Sequence, residues 1–467
     1  MPEQVTLLLV DADWILTMDS ERRVIKHGAV AINGDKIVAV GPTAEIVHQY
    51  QAPAVRSLKG RLVMPGLIDG HIHSSFQLSR GLADEVGSQK FLFQRMYPYE
   101  GYLTPEQSYW STALCALEEL RHGVTCMIDP GNYSPDETVQ ALSASGIRAV
   151  IAKSAMDIAK SSFGSLPATF IETTEEALQH SEAVVKKFHQ SENGRIRVSL
   201  SFRGVNNASD DLISRMQQMA HHYQIGFQAH ACFAKETRDS SVGGTGYTEV
   251  ERLHRLGVLG PNLLLIHMGW ATPGELLLLR DHDVKIVAAP SSSFHNGYGN
   301  VAMGKIPELL AMGVSVGLGS DHASSGVVDL VQEMRMVAGG YKEVRMDAAI
   351  MSPETVVEMA TLHGARCAWW EDEIGSLVPG KKADLAIFDT RRPEWQPLYN
   401  PVANLVYSAT GSSVDMVLVN GRIVVDQGRV LTLNADDIYD NVERVMPKIL
   451  EQTGLAGLAK SRWPISG

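Results

Sequence analysis

The sequence predicts an α/β fold: a TIM-type (β/α)₈ barrel inserted in a small composite β-sandwich that both termini build. Eight apolar, strand-like runs alternate with helical stretches between residues 63 and 368, which is the pattern of a closed parallel barrel. Short strands separated by turn signals precede and follow that region. The 467 residues are enough for a barrel of roughly 250–350 residues and a second, smaller domain.

The eight predicted barrel strands are apolar runs separated by amphipathic helices. They lie at residues 62–72, 124–128, 147–155, 196–202, 225–232, 263–267, 284–289 and 314–319. The clearest helices between them span 105–122, 174–190, 210–222 and 272–281. A doubly wound open sheet is the alternative, but it would place a glycine-rich dinucleotide loop after an early strand. The glycine-rich stretch 243–246 occurs late in the chain, and we interpret it as a flexible loop.

The two ends of the chain are predicted to share one β-sandwich. Residues 1–62 contain strands at 7–10, 29–32 and 36–40, and residues 369–434 contain strands at 383–389, 416–419 and 423–425. The last two form a hairpin across Asn420-Gly421, a strong two-residue turn signal. Neither end has enough strands for a stable sheet of its own. The predicted division is therefore 1–62 and 369–434 for the sandwich, 63–368 for the barrel, and 435–467 for a C-terminal helix and tail.

Composition and charge exclude several classes of function. A net charge of −12, from 53 acidic and 41 basic residues, disfavours binding to nucleic acid or to anionic lipid. No apolar run approaches the roughly 18–20 residues that a membrane span needs, and the first ten residues lack the basic segment of a signal peptide. The four cysteines have no CxxC spacing and are predicted to be reduced thiols. We expect a cytoplasmic enzyme, and we also expect a homo-oligomer.

Polar side chains end four of the eight predicted strands. The first strand ends in His71 and His73, whose i, i+2 spacing directs both imidazoles to one side. His230, His267 and Asp321 end the fifth, sixth and eighth strands. An isolated HxH pair is weak support for a metal site, but five such residues on one rim of a barrel indicate one. Imidazole and carboxylate ligands suit a divalent ion, with zinc the best candidate and cobalt, manganese or iron as alternatives.

This set of residues predicts hydrolysis. A divalent cation lowers the pKa of bound water to around 7, which supplies a nucleophile at neutral pH. Asp321 can accept the proton of that water and deliver it to the leaving group. His267 can donate a hydrogen bond to the oxygen on which negative charge develops, a contribution of roughly 3 kcal/mol.

Four motifs resemble those of the amidohydrolase superfamily. Residues 65–73 (PGLIDGHIH) resemble its first-strand signature PG-[LF]-I-[DN]-x-H-x-H, and residues 78–84 (LSRGLAD) resemble the LxRGxAD stretch of its chlorohydrolase and aminohydrolase branch. Residues 374–385 resemble the IGSLxxGKxADL motif, and residues 419–421 resemble the closing VNG strand. These motifs occur in the expected order over nearly the whole chain.

The resemblance implies a role for each polar strand end. His71, His73 and His230 match the histidine ligands, and Asp321 matches the aspartate that binds the metal and accepts a proton. His267 matches a histidine that contacts the attacking water and the substrate. Residues 198–206 offer no lysine that could be carboxylated to bridge two metals, so we expect one divalent ion per chain.

The sequence departs from the deaminases of this branch at the fifth strand. Those enzymes carry a glutamate three residues after the strand-five histidine, where this chain has Phe233. Glu236, six residues after that histidine, is interpreted as a surface acid. The histidine often found on the fourth strand is also missing, and Arg203 lies in that stretch. These differences favour a neutral amide, urea, carbamate or thiocarbamate, cleaved at a C–N or C–S bond. Herbicide hydrolases that act on phenylureas and on molinate are similar in this respect, which suggests xenobiotic degradation.

The substrate is expected to be a small neutral organic molecule held in an apolar pocket. The alternative is an aminohydrolase or chlorohydrolase of an N-heterocycle such as a purine, a pyrimidine or an s-triazine. A third possibility, a catalytically inactive scaffold, is disfavoured because all the metal ligands are present. The role of His322 stays open. The predicted substrate contacts are Phe76, Tyr97, Arg203, Phe233 and Trp270.

Overall fold

A computed structural model of the protein describes residues 1–162, 164–321, 326, 328–458 and 463–464. His322 lies outside the described residues. Through the middle of the chain runs a series of parallel strands, which we number first to eighth in chain order. Their segments are Leu67–Asp69, Val124–Ile128, Arg148–Ile151 with Ser154–Ala155, Ile196–Val198 with Leu200–Gly204, Phe227–Ala231, Leu263–His267, Lys285–Ala288 and Val316–Leu318.

Each strand of the parallel series pairs with its neighbours in chain order. The pairing runs through a sheet that holds the first to fourth strands and a sheet that continues from the third and fourth strands to the eighth. The Gly70 amide donates a hydrogen bond of 2.7 Å to the Leu318 carbonyl, so the first strand also meets the eighth, as a closed barrel requires. This strand order agrees with the eight runs predicted from the sequence.

Helices follow each strand of the parallel series, as in βα units. Side-chain caps begin several of them; Thr104, for example, forms a capping box with Gln107 at the start of a 17-residue helix. In chain order these helices are Ser88–Phe91, Tyr97–Tyr102, Pro105–Arg121, Pro135–Ser145, Thr174–Phe188, Asp210–Tyr223, Lys235–Thr245, Glu249–Arg255, Pro273–Asp281, Pro290–Asn296, Asn300–Met303, Ile306–Ala311 and Leu330–Arg345.

The glycine-rich stretch 243–246 differs from the loop that the sequence predicts. Its first three residues form the end of the helix Lys235–Thr245, and Gly246 ends that helix in the left-handed region with φ 79°. Glycine accepts this conformation without a steric penalty, which explains the glycine at position 246.

Strands from both ends of the chain form one mixed sheet, where the sequence predicts a small composite β-sandwich. Its strands are Leu7–Leu16, Val24–Asn33, Lys36–Pro42, Ala54–Ser57, Arg61–Pro65, Leu385–Asp389, Val414–Val419, Arg422–Asp426 and Arg429–Val430. The predicted strand 62–72 is two strands, because Arg61–Pro65 pairs antiparallel with Leu385–Asp389 in this sheet whereas Leu67–Asp69 begins the parallel series. The chain crosses between the sheets at Gly66, where an added Cβ would lie 2.0 Å from the Thr125 hydroxyl.

The hairpin across Asn420 and Gly421 is present in the structure. Val419 pairs with Arg422, and both turn residues have positive φ, 49° for Asn420 and 73° for Gly421. Positive φ at both central positions is the geometry of a two-residue type I′ turn, which is why the Asn-Gly pair predicted it.

The remaining helices lie before or after the parallel series, except for the short segment Ser191–Gly194 between the third and fourth strands, in which Glu192 and Asn193 have positive φ. They are Thr43–Gln49, Ser191–Gly194, Pro353–Glu358, Gly364–Cys367, Pro401–Tyr407 and Ala435–Thr453. The last one buries Ile438, Val445 and Ile449 against the neighbouring helices, in agreement with the predicted C-terminal helix. Within the described ranges, no helix combines the length and the apolar character needed to cross a bilayer.

A buried ion pair joins the parallel series to the mixed sheet. Arg148, on the third strand, donates from Nε and Nη2 to the two carboxylate oxygens of Asp384 at 2.8 and 3.1 Å. Asp384 also accepts the Asn420 amide at 2.8 Å. Both side chains are at most 2% exposed, so the bidentate contact replaces the hydration that each charge loses on folding.

Asp384→Ala is expected to lower the free energy of unfolding by about 3–5 kcal/mol, because it leaves the Arg148 guanidinium buried without a counter-charge. Asp239→Ala is the matched control: it removes an exposed i, i+4 pair with Lys235 and should cost less than about 0.5 kcal/mol. Urea unfolding followed by circular dichroism measures both variants. Equal unfolding midpoints for the two would show that the buried pair does not hold the sheets together.

Candidate active site

The ends of the first and eighth strands are tied together by a buried carboxylate. Asp69 accepts hydrogen bonds from the backbone amides of His71 at 3.0 Å and Ser320 at 3.1 Å. The Asp321 amide in turn donates to the His71 carbonyl at 2.8 Å. Burial raises the pKa of Asp69 to about 6, although the two amides oppose this shift. These contacts bring His71 and Asp321, which are 250 positions apart in the sequence, next to each other.

Three histidines and an aspartate converge at this rim. His71, His73, His230 and Asp321 each offer one ligand atom, and these atoms all lie within 4.8 Å of one another. Nε2 of His230 is 3.1 Å from Nε2 of His71 and 3.3 Å from Nε2 of His73. Oδ1 of Asp321 is 3.0 Å from Nε2 of His71. The four residues predicted as metal ligands are therefore brought together.

Two histidines of the cluster, His73 and His230, are held in the neutral form that binds metals. Burial lowers the pKa of His73 to about 3 and that of His230 well below its usual value. Burial alone would raise the pKa of Asp321, but the adjacent His267 and hydrogen bonds from His71 and His73 outweigh it and hold the carboxylate ionised. Neutral imidazoles and a carboxylate are the protonation states required for ligation.

The orientation of His230 is set by a partner behind it. Its Nδ1 donates to the Arg203 carbonyl at 2.5 Å, so the lone pair of its Nε2 points at Nε2 of His71 and of His73. Nitrogen atoms converging at these distances repel one another unless a proton or a metal cation lies between them. A hydrogen bond from the distal ring nitrogen to a carbonyl is the usual support of a metal-binding histidine. The donor set thus fits a divalent ion.

His267 lies beside the cluster rather than in it. Its Nε2 is 3.7 Å from Oδ2 of Asp321, and burial lowers its pKa to about 4. Both His267 and Asp321 have positive φ, 81° and 45°, in a region that residues other than glycine seldom adopt. Such backbone strain is typical of functional sites, where it directs a side chain that regular strand geometry would not.

A largely apolar cavity opens above the cluster. Phe76 stacks on His73 with 4.9 Å between ring centroids. The Arg203 guanidinium lies over the rings of Phe76 and Tyr97, at 5.4 and 5.7 Å, and donates to both oxygens of Glu100 at 2.8 and 2.9 Å. Three of the five predicted contacts, Phe76, Tyr97 and Arg203, line this side of the cavity, but the charge of Arg203 is neutralised by the buried Glu100.

The opposite wall of the cavity is formed by Phe233 and Tyr298. The Phe233 ring is 5.7 Å from that of His267 and 5.4 Å from that of Tyr298. Trp270, predicted as a substrate contact, lies behind this wall: its indole donates to the Tyr298 carbonyl at 2.9 Å, and it is not among the residues that line the cavity. Glu236 is exposed on the helix after the fifth strand, as its interpretation as a surface acid requires.

Sequence reasoning missed several lining residues that lie between strands. Phe91, Asn206, Thr237, Glu249 and Tyr298 all face the cavity. They lie on helices or connecting segments, whose position over the site depends on tertiary packing. For Glu249 the sequence does contain one indication of its local structure. It follows Thr248, which begins a helix with a capping box.

A parallel α/β series with histidine and aspartate ligands at its carboxyl end defines the class of metal-dependent hydrolases. Within that class, the chain belongs to the amidohydrolase family, whose model matches residues 62–424. It is therefore an enzyme of the hydrolase class. Residues 28–50 also match a bacterial imidazolonepropionase-like composite domain.

Relatives and solved structures resemble the chain over nearly its full length. A 5-methylthioadenosine/S-adenosylhomocysteine deaminase from Syntrophobacter fumaroxidans is 32% identical over 94% of this chain and 97% of its own. A crystal structure of an adenosine deaminase from Xanthomonas campestris with bound zinc is 26% identical, covers 97% of this chain and 100% of its own, and gives a TM-score of 0.89. Atrazine chlorohydrolase from Arthrobacter aurescens, complexed with zinc, shares the fold at 24% identity, with a TM-score of 0.86, over 95% of this chain and 100% of its own.

His230→Gln is expected to lower metal affinity by more than roughly 100-fold, because removing even an outer partner of a ligand costs roughly 10–100-fold. His180→Gln is the control, since His180 is 56% exposed and binds Glu172 on the surface. Metal content after dialysis, measured by inductively coupled plasma mass spectrometry, reports the difference. Retention of a full metal complement by His230→Gln would remove His230 from the ligand set.

Proposed function

We propose that the protein hydrolyses a C–N bond at a ring carbon of a small neutral N-heterocycle and releases ammonia or an amine. The observation that carries this proposal is the convergence of the four-ligand cluster, His267 and an aromatic cavity at one rim. The relatives support the choice of bond, because two of those reported above are named as deaminases, one of 5-methylthioadenosine and S-adenosylhomocysteine and one of adenosine. They favour this reading over the acyl substrates that the sequence suggested first.

One divalent ion, zinc by the chemistry of the donor set, is proposed to lie among His71, His73, His230 and Asp321. The fourth strand, Leu200–Gly204, contains no lysine that could bridge a second metal. Bound there, the ion supplies Lewis acidity that lowers the pKa of water.

The protein's own groups would then move the protons. Asp321 lies within 3.7 Å of His267 and can accept a proton from the attacking water, because its carboxylate is held ionised. The same proton is available to the departing nitrogen. His267, neutral at physiological pH, donates a hydrogen bond to the oxygen of the attacking water and so orients it toward the substrate carbon.

The walls of the cavity favour a neutral, flat substrate. The aromatic rings of Phe233 and Tyr298 give the cavity an apolar wall against which a heterocycle can pack. The charge of Arg203 is already satisfied by Glu100, so an anionic substrate would find no free guanidinium there.

A second candidate, hydrolysis of a neutral urea, amide, carbamate or thiocarbamate, rests on Phe233. That residue occupies the position where the deaminase pattern expects a glutamate, and its phenyl ring cannot transfer a proton. A substrate with its own carbonyl does not need a protonated ring nitrogen, which is the physical reason to keep this candidate. The similarity to phenylurea and molinate hydrolases, and the homo-oligomeric state, are predictions from the sequence.

A product screen separates the two candidates. Zinc-loaded enzyme is incubated with adenosine-type, guanine-type and triazine compounds and with aryl ureas and thiocarbamates, and both products are identified by mass spectrometry. We expect ammonia or amine release from at least one heterocycle, with kcat/KM well above that for any acyl compound. Turnover of acyl compounds alone would replace the first candidate with the second.

Asp321→Asn and His267→Asn should differ in their effects. Loss of the Asp321 carboxylate is expected to abolish turnover, because it removes both a ligand and the proton acceptor. His267→Asn should lower kcat by roughly 10²–10³ while the metal content is unchanged, since it removes one oriented donor. Kinetics and metal analysis of the same preparations test this. Metal loss in His267→Asn would make His267 a ligand.

A further inference from the structure

The cavity contains a second buried carboxyl group that the mechanism above does not use. Glu249, the first residue of the helix Glu249–Arg255, is 2% exposed and lines the cavity together with His230, His267 and Asp321. A carboxyl group is seldom buried without a cation unless it has a specific role.

Glu249 is held at the turn that leads from the fifth strand to Phe233. Its Oε2 accepts the Cys232 amide at 2.9 Å, and Cys232 has a positive φ of 52°. Thr237, on the preceding helix Lys235–Thr245, also forms a hydrogen bond with the Glu249 carboxyl group and faces the cavity. The chain thus places a carboxyl group beside the segment 230–233, although position 233 itself is a phenylalanine.

The surroundings of Glu249 favour the protonated form. Burial raises the pKa of its carboxyl group to about 7, and the nearby Glu275 adds to the shift while the Cys232 and Thr237 hydrogen bonds oppose it. In the part of the chain that the structure describes, no basic side chain forms an ion pair with Glu249. The positive charge of Arg238, on the neighbouring helix, lowers the pKa of the Cys232 thiol, which burial raises. At neutral pH, Glu249 can therefore donate a proton.

We propose that Glu249 is the general acid of the reaction, the group that protonates the ring nitrogen next to the attacked carbon and that Phe233 cannot supply. This inference rests on the proposed function. As water adds to the C=N carbon and loses one proton to Asp321, the π electrons move to the ring nitrogen, which takes the proton of Glu249. The C–N bond to the exocyclic group then breaks, the leaving nitrogen takes the proton from Asp321, and the new hydroxyl group returns a proton to Glu249 as it becomes a carbonyl.

Glu249→Gln tests the assignment, with Glu236→Gln, an exposed acid on the adjacent helix, as the control. The amide keeps an oxygen for the Cys232 amide but cannot transfer a proton. We expect kcat on the heterocycle found in the product screen to fall by roughly 10²–10⁴, with KM and zinc content unchanged. The wild-type kcat should fall as pH rises through about 7, when Glu249 loses its proton, and the variant should lack that limb.

Thermal unfolding of the zinc-loaded proteins gives a readout independent of turnover. The folded pKa of Glu249 lies above the value near 4.3 of an unfolded glutamate, so its contribution to stability falls as pH rises from about 4 to 7. The Tm of Glu249→Gln minus that of the wild type should therefore increase between pH 5 and pH 8. If Glu249→Gln does not fold, Glu249→Asp, which keeps the acid but shortens it, is measured in the same way and should lower kcat while retaining the pH limb.

Unchanged kcat and an unchanged pH limb in Glu249→Gln would overturn the assignment and leave the proposed function intact. A Tm that is lowered equally at every pH, or a loss of zinc, would make Glu249 a structural residue and would also overturn it. Failure of the wild type to release ammonia or an amine from any heterocycle would instead overturn the proposed function.

Discussion

The active site depends on the junction between the first and eighth parallel strands. Asp69 accepts the amides of His71 and Ser320, the Gly70 amide donates to Leu318, and the Asp321 amide donates to His71. These hydrogen bonds hold two strand ends at a fixed spacing, and the Asp321 carboxylate reaches Nε2 of His71 at 3.0 Å as a result. A buried carboxylate is costly unless its oxygens are satisfied by donors, and here the donors belong to the backbone that carries the ligands. The same hydrogen bonds therefore stabilise the junction and set the geometry of the cluster.

The chemistry of the site follows from how burial acts on each titratable group. Burial lowers the pKa of His73 and of His230, which keeps their ring nitrogens available to a metal ion, whereas His267, His71 and His73 keep Asp321 ionised despite its burial. Glu249 has no such partners, so its proton is retained near neutral pH. One cavity therefore contains a carboxylate suited to accept a proton and a carboxyl group suited to donate one. Groups whose environments separate their pKa values in this way are typical of acid–base catalysis. The site can therefore keep a proton donor, Glu249, even though position 233 holds a phenylalanine in place of the glutamate of the deaminase pattern.

Sequence reasoning anticipated the strands and the convergence of the four candidate metal ligands, because both depend on local pattern. The run Leu263–His267 matches the observed strand at both ends, and the HxH spacing places His71 and His73 on one side of the chain. It failed where tertiary packing decides. Residues 62–65 are as apolar as a barrel strand, yet they pair with Leu385–Asp389 in the mixed sheet. Trp270 is near the rim in sequence, but its indole supports Tyr298 from behind. Glu249 is 19 residues from His230, and the helix Lys235–Thr245 lies between them in the chain. Its place in the cavity depends on how that helix and the next one pack, which no spacing rule predicts.

Four convergent side chains are proposed to form a single metal centre at the junction of the first and eighth strands. Anomalous diffraction at the zinc edge, from crystals of the active zinc-loaded enzyme, would locate the ion and identify its ligands. We expect one strong peak per chain, within bonding distance of Nε2 of His71, His73 and His230 and of an Asp321 oxygen, at roughly 2.0–2.2 Å. Two peaks in the cavity, or one peak bound by other residues, would contradict it.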